Sequence, residues 1–202
     1  EGEAITNDII YGSVSGKKSD EDGKALGSAV IGIFKTGTTE FTKENAIAAT
    51  TSKDDGSFSF VKVPYGTWII REIESPKGYV LSEEEIAVTI GKVDEVVEIE
   101  LVNYFIKGNI ALTKVDEDYP DNKLSGAVFE VYSDTNGDGK LDKDDTLLGE
   151  MKELDGGVYQ MSELRYGKYL VKETKAPTGF VLDENVYAVS IEENGKTYTV
   201  EN

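Results

Sequence analysis

The sequence predicts an all-β protein made of two tandem β-sandwich domains of immunoglobulin-like size. Short segments of alternating apolar and polar residues recur throughout, separated by Gly, Asp, Asn and Pro, which is typical of antiparallel strands joined by tight turns. Long helical periodicity is missing. Each half of the chain reads as about seven such strands, the number in a small sandwich.

Internal repetition divides the chain of 202 residues. The block "NDIIYG" at residues 7–12 parallels "NYFIKG" at 103–108, and "PYGTWIIREIESPKGYVLSEE" parallels "RYGKYLVKETKAPTGFVLDEN". We therefore expect a first domain over 9–105 and a second over 106–202. Residues 1–8 resemble the tail of a preceding copy, so we expect the sequence to belong to a longer array.

The composition excludes several classes of function. With 39 acidic and 21 basic residues the formal charge is −18, which disfavours nucleic acid and anionic lipid as partners. No segment approaches the roughly 18 apolar residues of a membrane span. The chain has no Cys and no His, which excludes most nucleophilic triads and zinc sites. A chain without disulfides must rely on its core or on another covalent link.

Strand alternation places polar residues on the apolar face three times in each repeat. Glu72 and Glu173 share a face with apolar neighbours in "TWIIREIE" and "KYLVKET". In the first strand of each repeat the inward lysines are Lys18 and Lys114, whereas Lys17 falls on the solvent face. In the last strands, "IELVN" and "YTVEN", the inward polar residues come at the end and are Asn103 and Asn202.

Together these residues make chemical sense, although burying each alone would cost several kcal/mol. Desolvation lowers the pKa of a lysine and raises that of a carboxylic acid, so the amine becomes nucleophilic while the acid keeps its proton. A protonated glutamic acid bound to the Asn carbonyl would polarise it and pass a proton to departing ammonia. The product is a Lys–Asn isopeptide bond. The alternative is a buried Lys–Glu salt bridge with Asn as a turn residue.

The blocks "TKVDEDYPDNKLSGAVF", "VKETKAPTGF" and "TVEN", with "KKSDEDGKALGSAV", "REIESPKGY" and "ELVN" in the first repeat, resemble the Cna B-type, or SpaA-like, prealbumin-like domains of Gram-positive surface proteins and pilins. The resemblance implies two tandem prealbumin-like sandwiches from an extracellular, cell-wall-anchored protein. It also implies two cross-linked pairs, Lys18–Asn103 and Lys114–Asn202, promoted by Glu72 and Glu173.

The segment "DTNGDGKLDKDD" at residues 134–145 has the spacing of a calcium loop. We place it as an insertion between strands of the second domain, and we expect no such site in the first. The expected Ca²⁺ ligands are Asp134, Asn136, Asp138, the carbonyl of Lys140, Asp142 and Asp145. The alternative is a solvated acidic loop without a specific metal.

The sequence is compatible with three functions. We favour a structural stalk module that contacts neighbouring repeats of the same chain and performs only single-turnover self-cross-linking. A second possibility is an adhesin module that binds a host or polysaccharide ligand directly, which an exposed aromatic patch would favour. A third is an enzyme acting on carbohydrate, which would need a cleft with convergent carboxylates.

Overall fold

A computed structural model describes residues 7–200, which form strands and loops without a helix. The chain divides into two compact units between Phe105 and Ile106. We call them unit 1 and unit 2. Among residues 7–200 no helix has the length and apolar character needed to cross a membrane.

Unit 1 contains two sheets, one ordered β4-β1-β7 and the other β3-β2-β5-β6. Its strands are β1 (Tyr11–Asp20), β2 (Val30–Lys35), β3 (Ala48–Thr51), β4 (Ser57–Pro64), β5 (Gly66–Glu74), β6 (Ile86–Ile90) and β7 (Val96–Asn103). Both sheets contribute to one core, which includes Val14, Ile31, Phe58, Ile70 and Leu101.

The first strand of unit 1 shows why its alternation includes glycine. Every second residue from Gly12 to Asp20 is buried. At Gly16 the ring of Phe58 lies so close that a Cβ atom would come within 2.0 Å of it. Only glycine fits there, and the space it leaves lets Phe58 pack directly against the strand that carries Lys18.

Unit 2 also contains two sheets, ordered β11-β12-β8-β15 and β10-β9-β13-β14. Its strands are β8 (Lys107–Thr113), β9 (Val128–Ser133), β10 (Thr146–Glu150), β11 (Lys152–Asp155), β12 (Val158–Arg165), β13 (Gly167–Lys175), β14 (Val186–Ile191) and β15 (Thr197–Thr199). The core between the sheets includes Ile110, Phe129, Tyr159, Val171 and Ile191.

The predicted all-β class and the two tandem sandwiches are confirmed. In each unit, however, one pair of strands is not antiparallel as expected. In each unit the first and last strands lie side by side and run parallel, as β1 with β7 and β8 with β15. These strands are separated by most of the unit, so no hairpin forces them to be antiparallel.

The acidic loop of unit 2 connects β9 to β10 and spans residues 134–145. Unit 1 connects β2 to β3 with residues 36–47, so both connections have the same length. The loop is therefore a replacement of the unit 1 connection and not an insertion, which corrects the sequence-based expectation.

Candidate cross-linking site

Three strands of unit 1 bring together the polar residues that alternation placed inside. Lys18 lies near the end of β1, Glu72 on β5 and Asn103 at the end of β7. The exposed fraction of each residue is 1% or less. Lys17, one position earlier, is exposed. β1 and β7 pair in register, with Lys18 opposite Leu101, so Lys18 and Asn103 lie two positions apart on adjacent strands.

Glu72 contacts both other members of the site. Its Oε1 lies 3.4 Å from the Nζ of Lys18, and both side chains are fully buried. Its Oε2 accepts a hydrogen bond of 2.7 Å from the Nδ2 of Asn103. The amide nitrogen of Asn103 therefore faces the acid, whereas the proposed chemistry had the acid bound to the carbonyl oxygen. In this arrangement Glu72 lies beside both the amine of Lys18 and the amide nitrogen of Asn103.

Three buried polar atoms at this site have no hydrogen-bond partner: Nζ of Lys18, Oε1 of Glu72 and Oδ1 of Asn103. The Nζ and Oε1 atoms are within ion-pair distance, but they do not meet hydrogen-bond geometry. Leaving a buried polar group unsatisfied costs about 1–3 kcal/mol. Burying these three atoms without hydrogen bonds is therefore energetically unfavourable.

The environment of Lys18 favours the neutral amine. Burial lowers the pKa of Lys18 below its ordinary value of 10.5, and this effect exceeds the opposing influence of Glu72. A neutral amine has the lone pair that nucleophilic attack requires. The geometry thus places a nucleophile, a carboxyl group and an amide in one water-poor site.

Two contributors from the loop after β5 were not identified in the sequence. The carbonyl of Val80 accepts a hydrogen bond of 2.7 Å from Nδ2 of Asn103. The backbone N–H of Ser82 donates to Oε2 of Glu72 at 2.8 Å. These contacts fix the side chains of Asn103 and Glu72. They come from backbone atoms, so alternation gives no signal for them, but the repeated "YVLSEE" and "FVLDEN" blocks mark the loop.

Unit 2 brings together two of its three predicted residues. Glu173 on β13 is buried, and its Oε1 lies 3.3 Å from Nζ of Lys114, whose side chain is 20% exposed. The backbone N–H of Asp183 donates to Oε2 of Glu173 at 2.7 Å, as Ser82 does to Glu72. A cavity of about 150 Å³ borders Lys114. This lysine is more open than Lys18.

Asp183 adds a carboxylate to the unit 2 site, where unit 1 has Ser82. Burial acts to raise the pKa of Asp183, but hydrogen bonds from Tyr187 and Asn185 and the charge of Lys114 outweigh it and lower the pKa. The hydroxyl of Tyr187 donates to Oδ2 of Asp183 at 2.6 Å. Asp183 is therefore held as a charged group beside Lys114.

Asn202 lies outside the described residues. The pairing register of β15, the strand before it, can be compared with that of β7 in unit 1. In unit 1 the carbonyl of Glu95 accepts from the backbone of Ser13, immediately before β7 begins. In unit 2 the carbonyl of Lys196 accepts from the backbone of Asn109, immediately before β15 begins. These two hydrogen bonds occupy equivalent places in the two units.

Counting from those bonds, Thr197 corresponds to Val96, and Val200 corresponds to Ile99. This register differs by two residues from the sequence comparison, in which Val200 corresponds to Leu101 and Asn202 to Asn103. The cross-link from Lys114 to Asn202 stays a prediction.

The acidic loop at 134–145 is held by its own hydrogen bonds. The two carboxylate oxygens of Asp134 accept from the backbone of Gly137 at 2.7 Å and of Gly139 at 3.1 Å. Gly139 has φ of +76°, a conformation that favours glycine. Asp145 accepts from the backbone of Thr135 and of Asp142 at 3.1 and 2.9 Å. The loop is thus closed on itself at both ends.

Two of the expected calcium ligands lie close to each other in this loop. The side chains of Asn136 and Asp142 approach each other, with Nδ2 and Oδ2 at 3.3 Å. Within residues 7–200, however, no group of three or more Asp, Glu, His or Cys side chains converges as metal ligands do. The loop has the turn geometry and the oxygen-bearing side chains expected of a calcium loop, and the binding of Ca²⁺ stays a prediction.

A family model described as a SpaA prealbumin-like fold domain matches residues 12–104 and again residues 108–202. Together the two matches cover nearly the whole chain. No curated protein matches the sequence.

Several solved structures are similar to the chain. The Bacillus anthracis TIE protein is 30% identical with a TM-score of 0.79, over 95% of this chain and 34% of that one. The streptococcal ancillary pilin is 20% identical with a TM-score of 0.44, over 96% and 64% of the two chains. BcpA, the major pilin subunit of Bacillus cereus, is 16% identical with a TM-score of 0.39, over 94% and 97%. The chain spans about a third of the length of the TIE protein.

Proposed function

From the premise that the chain belongs to the family of SpaA prealbumin-like fold domains, we propose that it is a stalk module of a Gram-positive cell-surface protein, stiffened by intramolecular isopeptide bonds. Its partners in this role are neighbouring repeats of the same chain. The chemistry is a single self-modification and not enzymatic turnover. The family match, the buried Lys18–Glu72–Asn103 site of unit 1 and the Lys114–Glu173 pair of unit 2 support this function.

In unit 1 the proposed reaction joins Nζ of Lys18 to Cγ of Asn103. The neutral amine attacks the amide carbon, a C–N bond forms, and Nδ2 departs as ammonia. Glu72 takes the proton released by the amine and delivers a proton to the leaving nitrogen, because its two oxygens lie beside Nζ and Nδ2 respectively. Holding the groups in contact supplies the effective concentration that the reaction needs.

This proposal rests on one observation: Lys18, Glu72 and Asn103 each have a buried polar atom that forms no hydrogen bond. A permanent salt bridge would orient Nζ to donate to Glu72, which the geometry lacks. Conversion of the buried amine and primary amide to one secondary amide removes the titratable amine from the core. The unsatisfied groups are explained if the folded, unlinked chain is the state before reaction.

Intact mass under denaturing conditions tests the proposal. For unit 1 we expect a mass one ammonia below that calculated from the sequence, and we expect Glu72→Gln to abolish this deficit. Glu74→Gln is a matched control, because Glu74 lies on the same strand and its half-exposed side chain forms an ion pair with Lys43. If the unaltered chain has the full mass calculated from its sequence, Lys18 and Glu72 form only a buried ion pair, and the bond is refuted.

The same measurement decides the acceptor of Lys114. A deficit of two ammonia, reduced to one by Glu173→Gln, would establish the predicted bond from Lys114 to Asn202. A deficit of one, abolished by Glu72→Gln alone, would show that Lys114 is unlinked and would refute the predicted bond to Asn202.

We also propose that the loop at 134–145 binds Ca²⁺ in unit 2. Its alternating oxygen-bearing side chains and the tight turn at Gly139 support this. Lys168 donates from Nζ to the carbonyl of Gly137 at 3.0 Å, which fixes the loop to β13. The residues that would hold the ion are Asp134, Asn136, Asp138, the carbonyl of Lys140, Asp142 and Asp145.

Calcium is expected to raise the melting temperature of unit 2. At a concentration about 100-fold above its dissociation constant it would stabilise the folded unit by about 2.7 kcal/mol. Asp138→Ala should weaken binding, measured by isothermal titration calorimetry. Asp144→Ala is the control, because it removes the same charge from the same loop at a position outside the ligand pattern. Equal effects of both substitutions would indicate a diffuse attraction of cations to an acidic surface.

A further inference from the structure

In unit 1 the loop after β5 makes two of the contacts that orient the cross-linking groups. The carbonyl of Val80 binds Nδ2 of Asn103, and the backbone N–H of Ser82 binds Oε2 of Glu72. Both contacts act on the acceptor and on the acid, and neither is made to the nucleophile. The loop can orient these groups towards Lys18 only if the loop is itself fixed relative to β1, the strand that carries the lysine.

Tyr79 joins this loop to β1. Its hydroxyl donates a hydrogen bond of 3.2 Å to Oδ2 of Asp20. Asp20 is the last residue of β1, is 4% exposed, and pairs with Asn103 in the register of β1 and β7. Lys18 lies two positions earlier and shares its buried face of the strand. The hydrogen bond thus connects the loop to the end and the face of β1 that carry the nucleophile.

Asp20 is a well-fixed point of attachment. Its Oδ1 accepts hydrogen bonds from the backbone N–H groups of Asp22 and Lys24 at 3.1 and 2.9 Å. Its own backbone N–H donates to the carbonyl of Lys24 at 2.9 Å. These bonds close the turn after β1 and leave Oδ2 to the hydroxyl of Tyr79. Because an unsatisfied buried carboxylate oxygen is unfavourable, the carboxylate favours the position of Tyr79 in which this bond is made.

The ring and the backbone of Tyr79 are also held. The ring packs on the ring of Phe105 with centroids 4.9 Å apart. The carbonyl of Tyr79 accepts a hydrogen bond of 3.0 Å from the hydroxyl of Ser75, which closes the preceding turn. The next residue is Val80, whose carbonyl binds Asn103. A displacement of the Tyr79 side chain would therefore be passed directly to the group that orients the acceptor.

We propose that Tyr79 is a positioning residue for the cross-linking of unit 1 and acts through its hydrogen bond to Asp20. This inference rests on the proposed bond between Lys18 and Asn103, since Tyr79 has such a role only if that reaction occurs. The hydroxyl keeps the carbonyl and N–H groups of the loop aimed at the acceptor and the acid while the amine approaches from β1. Phe180 stands at the corresponding place of unit 2 and has no hydroxyl, so this contact is particular to unit 1.

Tyr79→Phe tests this inference, because it removes the hydroxyl and keeps the ring that packs on Phe105. All chains carry Glu173→Gln, so that only unit 1 can lose ammonia by the proposed reaction. Chains are made by cell-free translation, translation is stopped, and samples are quenched in denaturant at intervals. Intact mass then gives the linked fraction at each time.

We expect Tyr79→Phe to slow the loss of ammonia about tenfold or more, because a misplacement of about 1 Å can slow a reaction about 100-fold. Tyr104→Phe is the matched control and should leave the rate unchanged, since the side chain of Tyr104 is 62% exposed. Protease resistance of the same samples reports folding, and it should develop equally fast in all chains. A role confined to stability would instead slow folding and ammonia loss together.

A second measurement follows the loop without the reaction. In the unlinked Lys18→Met chain, addition of Tyr79→Phe should speed backbone amide exchange at Ser82 about tenfold. Unchanged exchange at Ser82, or ammonia loss as fast with Phe as with Tyr at position 79, would overturn the positioning role and leave the isopeptide bond in place. Equal slowing of folding and ammonia loss would overturn it too. If no chain loses ammonia, the proposed bond is refuted and the inference is refuted with it.

Discussion

Glu72→Gln is expected to lower the free energy of unfolding of unit 1 by about 4–5 kcal/mol, because it prevents a link that closes a loop from Lys18 to Asn103. The two residues lie 85 positions apart, so the bond restricts almost the whole unfolded unit. Guanidinium unfolding followed by the fluorescence of Trp68 measures this loss. Trp68 is the only tryptophan in the chain and lies on β5, so it reports on unit 1.

Two further variants accompany this measurement. Lys18→Met removes the nucleophile, so it should also lose the bond, and it leaves the buried carboxyl group of Glu72 without its ion-pair partner. Glu74→Gln should leave the unfolding midpoint nearly unchanged, since an exposed ion pair contributes about 0–1 kcal/mol. A variant of Glu72 that unfolds at the same denaturant concentration as the unaltered chain would contradict the proposed bond.

Pulling a single chain from its two ends should show the largest difference between linked and unlinked unit 1. In the linked chain, force entering at β1 passes through the Lys18–Asn103 bond, so the residues between them cannot extend. In the Glu72→Gln chain, unfolding should release about 85 residues, or roughly 300 Å of contour length at 3.3–3.6 Å per residue. Atomic force microscopy or optical tweezers can measure this step.

The Glu74→Gln chain is again the control for this experiment and should show no additional step. If unit 1 of the unaltered chain also releases roughly 300 Å of contour length, tension reaches the strands between Lys18 and Asn103. That result would refute the stalk mechanism even if unit 1 is stable towards denaturant.

Strand alternation was sufficient to predict which side chains lie inside unit 1. Lys18, Glu72 and Asn103 each follow the period of two, and burial of all three agrees with that pattern. The backbone groups of Val80 and Ser82 could not be found this way, because they lie in a loop and act through the peptide rather than the side chain. The sequence therefore predicted which polar side chains are buried together in unit 1, but not the backbone groups that orient them.

Register was harder to predict than face. A shift of two residues along a strand leaves every side chain on the same face, so alternation could not show whether Val200 corresponds to Ile99 or to Leu101. The parallel pairing of β1 with β7 was equally hidden, since the two strands are far apart in sequence. The loop at 134–145 is a similar case. The spacing of its oxygen-bearing side chains is visible in the sequence, but the sequence does not show whether they converge on one point.

The parallel arrangement of β1 and β7 also sets the direction in which load acts on unit 1. The chain enters β1 at one end of the pair and leaves β7 at the other, so opposite forces on the two termini slide the strands lengthwise. Their pairing extends from Ser13 with Val96 to Asp20 with Asn103. The inter-strand hydrogen bonds are then loaded together in shear and not opened one at a time as in a zipper. The folded unit would therefore resist brief stretching even without a covalent bond.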